Sequence, residues 1–358
     1  TPACSWAAVN RKTLGAIVIT ASHNPPEWIG LKIKGPDGAS VERGFTDAVE
    51  RRISLAGFTK TIEGVTKTFN AREEHLEALR EKFDIPELVS GLKKIGLQVI
   101  VDPMHGSAAG CISDLLGNKD NISNLVKEIR SNRDPLFGGN SPEPLSKNLN
   151  ELIAKIKDLN SQGIKSLGIV FDGDGDRIAA IDENGRFCST QLLMPLLIDH
   201  LSRVRGLPGS VVKTVSGSDL MRLIAQDNGR EVIELPVGFK YIAKEMIDGE
   251  VLVGGEESGG IGFGMHLPER DALFAALLVL ESLKDAGQAL GSRLRELEDH
   301  LGSSYYDRLD IRLSNMDSRK KLEEFLIKTP PDLVDQMPVI EITNIDGVKL
   351  RLGQNYWL

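Results

Sequence analysis

The sequence predicts an α/β protein: three consecutive α/β domains with mixed, largely parallel sheets, followed by an incomplete C-terminal α+β domain. Two observations carry this. Short apolar, β-branched runs alternate with helical-period stretches over residues 14–300, the pattern of strands joined by crossover helices. From Ser303 the alternation stops, and a helix at 317–327 precedes short strands around Asn344-Ile345-Asp346-Gly347. A chain of 358 residues exceeds one ordinary core and suits several domains. Boundaries are expected at 1–84, 85–188, 189–302 and 303–358, the last domain being cut before its end.

The elements follow in chain order. Leu14 to Thr20 is an apolar run that reads as a buried strand, and Ala21 to Pro26 is rich in turn residues. Leu31 to Lys34 returns as a second strand before the turn Gly35-Pro36-Asp37-Gly38. Helical periodicity covers 44–56 and 71–83. The second unit opens near Ile95, with a strand from Leu97 to Val101, a helix over 108–117, a loop over 131–144, a helix over 146–160 and a buried strand from Leu167 to Phe171. The third unit reads as helices 191–204, 218–228, 239–247, 269–285 and 288–300 around strands 210–214, 231–235 and 250–254. Tyr305 to Leu313 then alternates as a strand would. Thr1 is not an initiator methionine, and Gln354 to Leu358 reads as a strand stopping in mid-run, so both ends are expected to be cut.

Composition narrows the function. Lys and Arg number 43 against 51 Asp and Glu, a net charge of −8 with no long basic run, which argues against nucleic-acid binding. Cys4, Cys111 and Cys188 are odd in number and far apart, which argues against a disulfide framework or a thiolate zinc site. No segment is long and apolar enough to span a bilayer and no signal peptide is visible, so the expectation is a cytoplasmic protein without membrane contact, monomeric or dimeric.

Three loops carry candidate chemistry. The first is Thr20-Ala21-Ser22-His23-Asn24-Pro25-Pro26. A serine hydroxyl is a weak nucleophile without a base; His23 adjoins Ser22, and Lys32 can approach from the next strand. The same residues also make an ordinary polar turn. The second is Asp172-Gly173-Asp174-Gly175-Asp176-Arg177. Its glycines let the backbone curl so that three carboxylates meet at one hard cation, which suits Mg²⁺. Arg177 adds a fork for phosphate. The rival reading is a calcium-binding helix–loop–helix, with Glu183 at the twelfth position. It is opposed by Arg177 where that loop needs glycine, and by flanks that read as strands. The third loop is Gly254-Gly255-Glu256-Glu257-Ser258-Gly259-Gly260, where Glu256 and Ser258 offer an acceptor and a donor for sugar hydroxyls, although a flexible surface loop has the same look. Lys240, before a helix, is either a phosphate contact or a solvated lysine. His105 stands at a strand's carboxyl end, where open α/β sheets place sites, and reads equally as a structural histidine. His75, His200 and His300 are expected at the surface.

Together the loops resemble the α-D-phosphohexomutases: T-A-S-H-N-P at 20–25, D-G-D-G-D-R at 172–177 and G-E-x-S-G at 255–259, in that order. The resemblance runs over nearly the whole chain. It implies four domains around a cleft, three of shared α/β topology and a fourth that binds phosphate. It implies Ser22 as the phosphorylated serine and Asp172, Asp174 and Asp176 as Mg²⁺ ligands, completed by the serine phosphate. Arg177, His23 and Lys32 would assist the transfer, Lys240 would lie near the substrate, and Glu256 and Ser258 would read the sugar.

The sequence departs from the family at two places. Ile29 stands where N-P-P-x-x-N-G has Asn, and the R-x-S-G-T-E-P phosphate loop is absent, the Ser216 to Ser218 stretch lying in another unit. The family's segment before T-A-S-H-N-P is also shortened, so the 358 residues are expected to be a fragment, inactive or impaired. Glu257 and Gly260 look most like glucose-specific members, so the expected reaction interconverts α-D-glucose 1-phosphate and glucose 6-phosphate through a bisphosphate. The alternatives are a phosphomannomutase, a phosphoglucosamine mutase or a sugar-phosphate-binding pseudoenzyme.

Overall fold

The computed structural model describes residues 1–55, 64–117, 122, 124–309, 311, 316–353 and 356–358. The chain opens with helix α1 (Pro2–Asn10) and two antiparallel strands, β1 (Ala16–Ile19) and β2 (Leu31–Lys34), with Ile19 opposite Leu31. The segment between them carries Ser22. The expected buried strand is shorter and more open than its composition suggests: Val18 is buried, while Ile17 and Ile19 are 68% and 71% exposed. Helix α2 (Arg43–Leu55) follows. The last residue of the expected 44–56 helix lies outside the described residues.

Helices α3 (Ala71–Glu81) and α4 (Ile85–Lys94) start on side-chain caps, Asn70 accepting from Glu73 N–H and Asp84 from Glu87 N–H. Beyond them stands a five-stranded sheet: β3 (Gln98–Asp102), β4 (Val126–Glu128), β5 (Ser166–Phe171), β6 (Ile178–Ile181) and β7 (Phe187–Cys188). Its order is β4-β3-β5-β6-β7, with the first three parallel and the last two antiparallel. Helix α5 (Cys111–Leu116) is shorter than expected because Gly110 and Gly117, both at positive φ, bound it. Helix α6 (Asn150–Ser161) packs on the sheet.

The third unit is a sheet of β8 (Ser210–Thr214), β9 (Val232–Leu235), β10 (Val251–Gly255) and β11 (Ile261–Phe263) in the order β11-β10-β8-β9, mixed in the same way. Its helices are α7 (Thr190–Asp199), α8 (Asp219–Asp227), α9 (Phe239–Asp248), α10 (Ala272–Ala286) and α11 (Leu290–Leu301). The expected 191–204 helix is regular to Asp199 and widens into a π-turn over His200–Val204. Residues of α10 such as Leu273, Phe274, Leu277 and Leu280 are buried in a core that also takes in Phe171, Ile178 and Met194, so the two sheets share packing. Hydrophobic burial at ~25 cal/mol per Å² makes this shared core what holds the two central loops together.

The final unit is helix α12 (Met316–Lys328) and an antiparallel meander of β12 (Leu333–Val334), β13 (Met337–Thr343), β14 (Lys349–Leu352) and β15 (Tyr356–Trp357). Residues 305–309 and 311 are irregular rather than the expected strand, and the rest of that run lies outside the described residues. Further expectations are corrected. Helices α1 and α4 and strands β4 and β11 form where the sequence reading placed none. The strands β5 and β6 flank the acidic loop, which removes the helix–loop–helix calcium reading. His75 is buried on Asp271, and His200 is buried on Glu281, so neither is a surface residue. Among the described residues no helix is long and apolar enough to cross a membrane.

Candidate functional site

The site is built at the end of β5. Every residue of that strand is buried, and the chain turns at once through 172–177 into antiparallel β6. Asp172 closes the turn, its Oδ1 accepting the N–H groups of Asp176 (2.9 Å) and Arg177 (3.0 Å). Gly175 supplies the positive φ of 71° that the turn needs. One oxygen from each of Asp172, Asp174 and Asp176 then lies within 4.8 Å of the others, all three residues being buried. Asp174 Oδ1 and Asp176 Oδ1 are buried and accept no hydrogen bond. Buried carboxylate oxygens are ordinarily paired, so this donor set fits a hard divalent cation held by oxygen ligands.

Ser22 reaches this loop from the β1–β2 connection. Its backbone is in the left-handed region at φ 55°, unusual for a residue with a side chain, and its N–H is fixed by Thr20 Oγ1 at 2.8 Å. Its hydroxyl donates to Asp172 Oδ2 at 3.3 Å, and His23 Nδ1 lies 3.4 Å from Ser22 Oγ. The approach is tight. A Cβ on Gly173 would stand 2.4 Å from the Ser22 carbonyl oxygen, so only glycine fits there.

Lys32 and Arg270 set positive charge directly against the acidic loop. Lys32, on β2, donates to Asp174 Oδ2 (2.7 Å) and Asp176 Oδ2 (3.0 Å). Arg270 donates to Asp176 Oδ2 (2.7 Å) and, more weakly, to Glu256 Oε2 (3.4 Å). Burial, then the charges of Asp176 and Asp174, push Asp172 well above the usual carboxylate range. Burial also works to raise Asp176, but Arg270 and Lys32 overcome it and hold its carboxyl low. Asp174 is likewise held low by Lys32 against its burial.

The third loop docks on the second. Ile178 N–H donates to Gly259 O at 2.9 Å, and Gly259 needs its positive φ of 106° and its missing side chain because a Cβ would meet Arg177 Cβ at 3.0 Å. Glu256 accepts from Gly238 N–H at 3.1 Å, which ties this loop to the start of α9. Burial raises the Glu256 carboxyl, with Arg270 opposing. Ser258 is half-buried and lines a cavity with Glu143, Gln191 and Tyr305.

The structure thus gathers Ser22, His23, Lys32, Asp172, Asp174, Asp176, Arg177 and Glu256, with Ser258 at the edge. Lys240 stands apart: its ammonium lies 4.7 Å over the Tyr241 ring and makes no hydrogen bond to the described residues of the cluster. His105 Nδ1 lies 3.0 Å from the Asn132 carbonyl oxygen. Sequence reading missed Arg270, which looks like part of a charged helix start in Pro268-Glu269-Arg270-Asp271. It also missed Glu143, whose Oε1 is 4.0 Å from both His23 Nε2 and Arg177 Nη1. No spacing rule connects either residue to its partners, which are distant along the chain.

Known proteins share these domains and this fold. Family models for phosphoglucomutase/phosphomannomutase α/β/α domains I, II and III match residues 1–60, 73–185 and 190–300. A phosphoglucomutase/phosphomannomutase of Thermococcus kodakarensis is 30% identical over 300 residues, which are 83% of this chain and 63% of the relative. A phosphoglucosamine mutase of Methanocaldococcus jannaschii is 29% identical over 347 residues, 96% of this chain and 72% of the relative. The crystal structure of a "putative phosphomannomutase" from Thermus thermophilus superposes with a TM-score of 0.82 at 30% identity, covering 99% of this chain and 74% of that one. The chain therefore spans about two thirds to three quarters of these relatives' length. With three family domains in order and the serine, acidic and Gly-Glu loops meeting at one point, the chain belongs to the phosphoglucomutase/phosphomannomutase family of α-D-phosphohexomutases.

Proposed function

We infer that the intact protein is a hexose-phosphate mutase in which Ser22 carries the phosphoryl group and Asp172, Asp174 and Asp176 hold Mg²⁺. The observation that supports this most is the meeting of the Ser22 hydroxyl with three buried carboxylates, two of which keep unpaired oxygens. The bound cation would supply charge neutralisation for the phosphoryl oxygens. The chain's own residues do the rest. Asp172 holds the Ser22 oxygen in place, and His23 Nδ1 lies where it can take or give the hydroxyl proton. Lys32 and Arg177 line the phosphoryl position with positive charge, and Glu256 and Ser258 grip sugar hydroxyls.

In the forward step the Ser22 Oγ–phosphorus bond breaks, a bond forms to the free hydroxyl of the hexose monophosphate, that hydroxyl's proton passes to a base, and Ser22 Oγ takes up a proton from His23. The bisphosphate then turns and returns its other phosphoryl to Ser22, so atoms balance over the cycle. The names of several relatives are those of phosphoglucosamine mutases or a phosphomannomutase, which supports glucosamine or mannose phosphates as substrates, while one relative is named for both glucose and mannose.

The test is turnover of glucosamine, mannose and glucose 1-phosphates by the intact protein with Mg²⁺. Faster turnover of the amino sugar or of mannose is expected. A strong preference for glucose would restore the narrower reading, and no turnover of any of the three would leave a binding protein.

A further inference from the structure

We propose that Arg270 is a positioning residue that ties the sugar-reading loop to the metal loop, and that Gly260 lacks a side chain to make room for it. The inference rests on the mutase reading above. Arg270 bridges two carboxylates from different sheets: Asp176, 94 positions earlier, at 2.7 Å, and Glu256, 14 positions earlier, at 3.4 Å. Its Nε lies 3.6 Å from Glu269 Oε1, and its guanidinium carbon is 5.5 Å from the Phe239 ring centroid, so the fork is held on several sides. Glu269 is itself anchored by the fully buried Lys34 and by Ser40, which lie on the Ser22 side of the molecule. Arg270 thus joins the metal and sugar loops directly, and Glu269 beside it extends the network to Lys34 on β2.

Gly260 is the second half of the arrangement. A Cβ built there would stand 2.2 Å from Arg270 Cδ and 3.0 Å from its Cγ. Arg270 therefore fills the volume that any side chain at 260 would take, inside the Gly-Glu loop itself. A planar guanidinium with several donors can serve two carboxylates at once, whereas an ammonium is a single point charge. Two consequences follow. Glu256, with its other oxygen on Gly238 N–H, is aimed by the fork, so sugar binding depends on Arg270. Asp176 shares its charge with Arg270 before any metal arrives, so Arg270 opposes cation binding while it supports sugar binding.

These opposite signs separate a positioning role from a merely structural one. The test is calorimetric titration of Mg²⁺, and separately of hexose 1-phosphate, into the intact protein and its Arg270→Gln, Arg270→Lys and Gly260→Ala variants, with thermal unfolding run alongside. Arg270→Gln is expected to weaken hexose phosphate ~10-fold and to tighten Mg²⁺ ~3-fold, the scale of one partly buried charge. Arg270→Lys keeps the charge and should leave Mg²⁺ affinity near wild type while sugar affinity stays weakened. Gly260→Ala, which adds only a methyl group, should repeat the Arg270→Gln pattern and decides the matter if that variant does not fold. Both affinities falling together, or neither moving, overturns the proposal. Because calorimetry needs no turnover, a protein that binds both ligands but does not isomerise them would sink the mutase reading and leave the Arg270 result standing.

Discussion

Ser22 Oγ stands 3.3 Å from Asp172 Oδ2, although the two residues are 150 positions apart in sequence. That contact depends on Gly173, beside Asp172, over which the Ser22 carbonyl passes. Replacing Gly173 with Ala puts a methyl group 2.4 Å from that oxygen and must displace the serine loop. A misplacement of about 1 Å costs roughly 10²-fold in rate. Mutase progress curves on Gly173→Ala should show a loss of that order with the melting transition nearly unmoved. Wild-type rates would mean that the loop gives way without consequence.

The acidic loop should make stability respond to metal. With three carboxylates buried together and two oxygens unpaired, a cation held there would bind the folded state and have no comparable site in the unfolded chain. At Mg²⁺ 100-fold above its dissociation constant the gain is about 2.7 kcal/mol. Thermal unfolding should shift upward on adding Mg²⁺ and return on chelation. Asp174→Asn should lose most of the shift.

Away from the site, Glu281 gives a pH signature. It accepts from Arg205 Nε and Nη2, both at 2.8 Å, and lies 2.9 Å from buried His200 Nε2. Burial opposes its ionisation, but His200 and Arg205 win and bring its carboxyl down to about 2. A depressed carboxylate contributes stability that is complete above its unfolded value near 4.3 and is lost as pH falls toward the folded value. Because the carboxylate is only half-buried and water screens it, Glu281→Gln should destabilise the protein by roughly 1 kcal/mol at pH 7, with the gap narrowing below pH ~4. Urea unfolding of both proteins at several pH values measures it; a gap that does not depend on pH would contradict it.

Asp271 does two jobs that substitution can separate. Its Oδ1 caps α10 by accepting from Leu273 and Phe274 N–H, and its Oδ2 lies 2.7 Å from both His75 Nε2 and His266 Nε2. Asp271→Ala removes the cap and strands two buried histidine nitrogens without their acceptor, and should cost about 3–5 kcal/mol. Asp271→Asn keeps a capping oxygen and should cost roughly 1 kcal/mol less, the usual value of a cap. Equal losses in the two variants would show that the cap contributes nothing.

Local signals made much of this fold legible. Strand–helix alternation located most elements of the two central sheets, and β2 and β8 fall at their expected residues. The Asp172–Arg177 loop was legible because its whole donor set is contiguous. Arg270 and Glu143 were not, since each acquires its role from partners on other elements. His75 and His200 were misread because helical neighbours say nothing about which face a distant helix covers; Asp271 and Glu281 come from α10 and its approach. Strand β1 misled in the other direction: its apolar residues predicted burial, and two of them are exposed.

The account is tested most directly by mapping phosphate on the intact protein. After incubation with hexose 1,6-bisphosphate and Mg²⁺, peptide mass spectrometry should place a single phosphate on Ser22, and Ser22→Ala or Asp172→Asn should abolish it. Phosphate on another residue, or none on Ser22 while the metal is bound at the acidic loop, would contradict it.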